Sequence, residues 1–416
     1  MISLSSRMFH ANVRLHSWVP PLLVAFLVFP PLAAGGFTSV VYPSASGPDC
    51  AAYPCVTATV TVGPYPANLA YDSGKGEIIS ADGSYNISIV GDSTDRVVGT
   101  VYAGFDPSGI AYDEASGDTY LGEVLSGNIA VFSDRSDSIV QVIPWTPNVS
   151  PDALVYDSGV NQVFVANRDG FNVSVISPQM NNSVTASIDV PPYPYGLTYV
   201  AALKEVFVES SGNVSVISDV TDRVVDTIHI GGDFGPYAGA YDSNTGELFT
   251  TNGIENNVSV INVTTDKIVA TIPLTAGSDG IAYDSGNGDI YVVEDARCSD
   301  YPLCQGNVSV ISGASLEIVK NLPVGDSPGD IVYDSARAEM FVANVGSGTL
   351  SVIADHGSGE GVDWTPIAVG VIVLGVAVAV FLLYRRNAKR RRGNSGKVAR
   401  VSAKTKLDTG VSNGPS

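Results

Sequence analysis

Histidine and cysteine are the scarcest reactive side chains in this 416-residue chain, four of each. Their positions decide much of the chemistry open to it. His10 and His16 fall in the first 34 residues and His356 in a Gly-rich stretch, which leaves His229 alone within a β-rich run. A zinc, copper or haem centre needs several imidazoles or thiolates to converge. A Ser-His-Asp or Cys-His set needs a histidine beside its nucleophile. The sequence therefore predicts no catalytic residue, no metal and no cofactor, with His229 an ordinary surface residue. No glycine-rich loop opens a helix, so nucleotide binding of the P-loop or Rossmann kind is unsupported. The cysteines form two short pairs, Cys50 with Cys55 and Cys298 with Cys304. No base or metal-ligand partner lies near them in sequence to make them reactive thiols.

Two polar patterns compete between a functional and a local reading. Asn-x-Ser/Thr, the glycan-acceptor sequence, occurs at Asn86, Asn148, Asn172, Asn181, Asn213, Asn257, Asn262 and Asn307. Five of these sit in a recurring Asn-Val/Ile-Ser phrase, where the asparagine also suits the turn into a strand. Asn148, Asn181 and Asn262 fall outside it and are the better acceptor candidates. A recurring Tyr-Asp step invites calcium, but calcium loops place several oxygen ligands at alternating spacing, as in D-x-D-x-D-G. No such run occurs. The expectation for Asp-Ser-Gly is a turn in which the carboxylate accepts backbone N–H groups.

The elements that position these residues emerge from internal repetition. Tyr-Asp recurs at Tyr71, Tyr112, Tyr156, Tyr241, Tyr283 and Tyr333, with Tyr199-Val200 as a degenerate member. The spacings are 41, 44, 43, 42, 42 and 50, the last lengthened by an insertion around Cys298–Cys304. Each unit continues through a turn, an alternating run such as Val163–Asn167, an Asn-Val-Ser-Val phrase, and a closing run such as Lys267–Ile272. Four short β-rich runs per unit of about 42 residues is the pattern of a propeller blade. A helical solenoid would need apolar residues at 3.6 spacing, which these runs lack. The seventh unit has three runs and then dissolves into Gly and Ser at 357–361. The missing fourth resembles residues 56–62, so the N-terminal strand is expected to close the last blade. The predicted fold is an all-β, seven-bladed β-propeller over 56–354. In such a ring the two cysteine pairs should project from opposite faces. Cross-pairs then exceed the roughly 4.4–6.8 Å Cα separation of a bridge, so local pairing is expected.

The unit P-x-G-I-A-Y-D-S-G, V-F-V-A-N, N-V-S-V-I, V-V-A-T-I is similar to the YVTN-repeat β-propellers of archaeal surface-layer and other cell-surface proteins. No unit carries a literal Tyr-Val-Thr-Asn; Phe-Val-Ala-Asn at 164–167 and 341–344 comes nearest. The resemblance implies a surface-exposed propeller used in adhesion, recognition or envelope structure, and supplies no catalytic residues.

The two ends point to the compartment. Residues 1–34 have two arginines, then an apolar run, then small residues near Ala33–Gly35, the layout of a signal peptide. The alternative is a retained anchor, but Pro20, Pro21, Pro30 and Pro31 shorten any helix there. An N-terminal extension (35–55) and a linker (355–364) flank the propeller. Residues 365–384 are twenty uncharged residues, enough to cross about 30 Å of hydrocarbon. Six bases follow within 385–392, and Trp364 and Tyr384 bracket the run. Positive flanks stay cytoplasmic, so residues 35–364 are expected outside and the basic tail 385–416 inside. Between the ends, 41 acids face 10 bases, a balance that excludes nucleic acid as a partner.

Residues able to bind a partner cluster in the connections from each fourth run to the next first run. They are Tyr65, Phe105, Asp106, Trp145, Asp152, Tyr193, Tyr195, Asp233, Phe234 and Tyr237. Such loops ring one mouth of a propeller channel, where aromatics stack on sugars or meet a cationic peptide; packing over the blade tops is the alternative. The leading expectation is a non-enzymatic, single-pass cell-surface glycoprotein that recognises an extracellular protein or glycan or forms part of an envelope lattice. The rival is an extracellular propeller enzyme, a lactonase-like hydrolase or a quinone-dependent dehydrogenase.

Overall fold

The computed structural model describes residues 52–104, 107–123, 127–145, 149–232, 235–295 and 305–355. Among them stand seven four-stranded antiparallel sheets. Blade 1 spans residues 66–102, blade 2 107–144, blade 3 151–189, blade 4 194–229, blade 5 239–273 and blade 6 277–326. In each, strands a to d follow chain order from the centre outward. Blade 7 takes its strands a to c from Pro328–Asp334, Glu339–Asn344 and Thr349–Ala354, and its outer strand from Cys55–Thr61. The expected closure is therefore present.

The register of that closure copies a native fourth strand. Thr61 faces Thr349 and Val60 faces Leu350, with a bulge between Val56 and Ala58. Blades 1 to 6 carry a bulge at the matching point of their own c–d pairing, as at Val175/Ile176 and Val260/Ile261. A bulge adds twist locally, and its recurrence keeps each outer edge turned alike.

Closure of the ring follows from the cores. Each innermost strand neighbours the next, and that of blade 7 neighbours that of blade 1. Seven separate apolar clusters form among the described residues, one at every blade boundary. Strands b and c are buried on both faces because each sheet is covered by two neighbours. Their near-continuous Val, Ile and Phe follow from this, as does the exposure along the d strands, for instance Val98 and Val225.

The expected signal segment, residues 35–51, the insertion bearing Cys298 and Cys304, and the expected span and tail beyond residue 355 lie outside the described residues, as do Phe105, Asp106, Asn148, Asp233 and Phe234. No described helix is long and apolar enough to cross a membrane. Cys55, at the start of the closing strand, is disulfide-bonded, and Cys50 lies outside the described residues.

Candidate functional site

The repeat phrases acquire roles once the strands are assembled. Strand b ends on a buried polar residue, Asn167, Asn252 or Asn344 in three blades, and this residue binds the phrase opening strand c. Asn167 Nδ2 donates to Asn172 Oδ1 at 2.6 Å and to Ser174 Oγ at 2.8 Å; Asn252 and Asn344 repeat this with Ser259 and Ser351. Asp82 fills the position in blade 1, accepting from Ser88 at 2.6 Å, and Glu294 in blade 6, accepting from Ser309. A buried serine needs such a partner. The phrase asparagines also shape the b–c turns: Asn86, Asn213 and Asn257 each donate to a backbone carbonyl two residues earlier. Asn262 accepts from Thr264 and Thr265 in its own turn, and Asn181 stands in the left-handed region at φ 56°.

At the other end of strand a, the Tyr-Asp step caps a turn. Asp72 Oδ1 accepts from Gly74 N at 2.9 Å and Lys75 N at 3.1 Å. Asp113, Asp157, Asp242, Asp284 and Asp334 do the same in their own turns. The turn role expected for these aspartates is what the structure holds. Sequence reasoning missed the cross-blade half of the motif. In six of the seven blades the tyrosine presents its hydroxyl to the aspartate of the blade before it: Tyr112 to Asp72, Tyr156 to Asp113, Tyr199 to Asp157, Tyr283 to Asp242, Tyr333 to Asp284 and Tyr71 to Asp334. Burial first and the facing carboxylate second push these phenols well above their ordinary range. Oδ2 of Asp72, Asp157, Asp284 and Asp334 nevertheless meets no partner at full hydrogen-bonding geometry.

The opposite face, formed by the d–a loops and b–c turns, carries the aromatics singled out from the sequence. Tyr193 and Tyr195 stack with centroids 6.4 Å apart, Tyr195 meets Tyr237 edge-on at 4.9 Å, and Phe171 meets Tyr193 edge-on at 5.1 Å. One row thus crosses blades 3, 4 and 5. Phe171 and Tyr193 are exposed and both sit at positive φ, 54° and 58°. Bulky residues seldom occupy that region, and doing so costs about 1–3 kcal/mol. Tyr65, also at φ 58° and exposed, stands apart on the blade 1 side, near the equally exposed Tyr85 and Tyr102.

Two expected members of this surface are tied down instead. Trp145 donates from Nε1 to Asn167 Oδ1 at 2.8 Å and packs, half-buried, on the blade 2/3 core. Asp152 pairs with Arg168 at 3.1 Å. Phe171, Tyr85 and Tyr102 went unrecognised in the sequence. The usable signal for the first two was an aromatic at the left-handed turn position where blades 2, 4 and 7 carry Gly127, Gly212 and Gly348. His229, at the end of an outer strand, lies beside Asn213 as a surface residue.

Beneath the aromatic row, Glu209 is fully buried where Gly196 and Gly239 leave it room. It accepts from Thr198 Oγ1 at 3.1 Å. Burial pushes its carboxyl up to about 7. In the channel wall, Asp330 accepts from Leu69 N at 2.8 Å and is pushed up to about 6, again by desolvation. A cavity of about 480 Å³ lies at the Tyr-Asp end and not among the aromatics. Its wall is largely inner-strand apolar residues such as Ile110, Leu154 and Val332. It lies against the inner strands of blades 1, 2, 3 and 7, where Tyr71, Tyr112, Tyr156 and Glu114 also line it, and it holds none of the aromatics singled out from the sequence. The aromatic face is the better site.

No family model and no curated protein matches the sequence. Among solved structures, a chain of hydrazine synthase from Kuenenia stuttgartiensis is similar at 17% identity and a TM-score of 0.59, over 70% of this chain and 96% of that one. At that identity the likeness shows the propeller fold alone.

Proposed function

We propose that this chain is a non-enzymatic, single-pass cell-surface protein whose propeller recognises an extracellular glycan or protein through the row Phe171–Tyr193–Tyr195–Tyr237. The observation that carries this reading is the exposure of two bulky aromatics in a costly backbone conformation, next to two more rings on the same face. Packing alone would not require Phe171 and Tyr193 to be both strained and exposed. Aromatic faces stack against sugar C–H surfaces and cationic side chains. The N-terminal signal layout, the uncharged run 365–384 and its basic flank support a propeller outside the cell and a tail inside. The repeat phrasing that resembles YVTN propellers supports a role in adhesion or envelope structure.

The test is a glycan and peptide array probed with the full-length protein in detergent. Binding that weakens about 10- to 100-fold on Tyr195→Ala, with the melting temperature retained, is the expected outcome. Binding indifferent to Tyr195→Ala and Tyr193→Ala removes this face as the site. The rival enzymatic reading needs a metal or quinone at the channel mouth; stoichiometric metal or a quinone absorbance in the purified protein would favour it.

A further inference from the structure

The seven blade boundaries differ at the Tyr-Asp end in a way that repeats as a pattern. At two of them a single carboxylate faces the incoming tyrosine, and a hydroxyl of its own turn satisfies the second oxygen. Ser116 Oγ donates to Asp113 Oδ2 and Thr245 Oγ1 to Asp242 Oδ2, both at 2.8 Å. At the blade 4/5 boundary the acids are absent: Val200 and Val263 are buried together, with Tyr241 packed on their cluster. At three others a second aspartate, from the c–d turn of the tyrosine's own blade, joins the first. The pairs are Asp72 with Asp134, Asp157 with Asp219 and Asp334 with Asp92. At these three the Oδ2 of the turn aspartate has no hydrogen-bond partner.

The blade 3/4 boundary shows the geometry best. Asp157 is 0% and Asp219 4% exposed, and neither Asp157 Oδ2 nor either oxygen of Asp219 meets a partner at full hydrogen-bonding geometry, although both carboxylates face the Tyr199 hydroxyl and each other. The groups converge on Gly159: a Cβ there would overlap the Tyr199 hydroxyl and stand 3.1 Å from Asp157 Oδ1 and 3.7 Å from Asp219 Oδ2. Gly74 repeats this convergence in blade 1, at 2.7 Å to the Tyr112 hydroxyl, 3.2 Å to Asp72 Oδ1 and 3.8 Å to Asp134 Oδ2. None of the ion pairs among the described residues uses any of these six carboxylates. Two facing, buried carboxylates repel unless something positive lies between them. Where the first acid is replaced by Val200 the second is replaced by Val263, as expected if the two work as one unit.

We propose that each of these three boundaries binds a hydrated hard divalent cation, Ca²⁺ or Mg²⁺, between the two aspartates, clamping adjacent blades. Mg²⁺ is held through one or two carboxylates with water completing its shell, and Ca²⁺ at such a site would draw most of its roughly six to eight oxygens from water. This suits a site with two acids and a phenol hydroxyl, and no group of three acids, histidines or cysteines gathers as a metal cluster among the described residues. The blade 6/7 boundary is left out: Asp284 and Asp355 both bear on Tyr333, but Asn287 Nδ2 donates to Asp355 Oδ2 at 3.3 Å.

The experiment uses the full-length protein in detergent at neutral pH. Millimolar Ca²⁺ or Mg²⁺ after chelation should raise the melting temperature by about 2–6 °C. Terbium should luminesce when excited through tyrosine, because a tyrosine hydroxyl borders each site. The variant Asp157→Val with Asp219→Val copies the valine pair of blades 4 and 5 and should fold. It should lose about a third of the terbium signal and part of the ion-dependent shift. A native protein whose melting is indifferent to both ions, or a double variant with unchanged terbium luminescence, overturns the proposal. A melting temperature that rises on acidification and ignores both ions assigns the pairs to a shared proton instead, and also overturns it. None of these outcomes involves the aromatic face, so failure here leaves the recognition reading untouched.

Discussion

Glu209 shows how one residue's surroundings set its charge. Its carboxyl is enclosed by the inner strands of blades 4 and 5, and desolvation raises it from 4.5 to about 7 in the folded state. A folded-state value above the unfolded one means that the native protein holds the proton more tightly. Its contribution to stability is therefore full below about pH 4.5 and is lost as pH rises through 7. Over that window the loss is on the order of 3 kcal/mol. The variant Glu209→Gln keeps the shape without the titration. Thermal melts from pH 4.5 to 8 should show the native protein losing stability relative to the variant as pH rises. Parallel curves would mean that Glu209 is not neutral in the fold. The same logic, a buried polar group made tolerable by its neighbour, runs through the strand b asparagines and their serine partners.

At the scale of elements, the strand Cys55–Thr61 holds the ring shut. It pairs with Thr349–Ala354 and sends Val60 into the blade 7/1 core. Without it, blade 7 would present a bare edge, the usual starting point for association between chains. Val60→Asp places an unpaired charge in that cluster and should cost about 3–5 kcal/mol. Calorimetry should show a lower melting temperature, and light scattering should show association that the native protein lacks. A variant that melts like the native protein would mean that this strand is dispensable. The d–a loops act differently: Trp145 stitches its loop to Asn167, whereas the loop before blade 4 leaves the Tyr193 ring exposed.

The whole molecule combines an acidic ring with basic sequence beyond residue 384. The proposed orientation predicts the outcome of adding protease to intact cells. Antibodies to the propeller should lose their epitope while those to residues 393–416 keep theirs. Protection of both segments would place the ring inside and end the cell-surface reading. Net negative charge over the propeller also favours cationic partners and long-range attraction to divalent ions, which weakens as salt is raised.

The sequence alone determined the repeat count, the four-run unit and the N-terminal closure. These depend on hydrophobic alternation and turn residues, which are local patterns written once per blade, as at Val163–Asn167 and Asp72–Gly74. It also located the d–a aromatics. Only the tertiary structure decided how each is held, since Trp145 is tied to Asn167 while Tyr193 stands exposed beside Tyr195. It alone revealed that Tyr112 belongs with Asp72 and Asp134, and Tyr199 with Asp157 and Asp219. Those oxygens come from two blades and from positions 20 to 62 residues apart. No motif along a single strand can encode a meeting that is fixed by how neighbouring sheets stack around an axis.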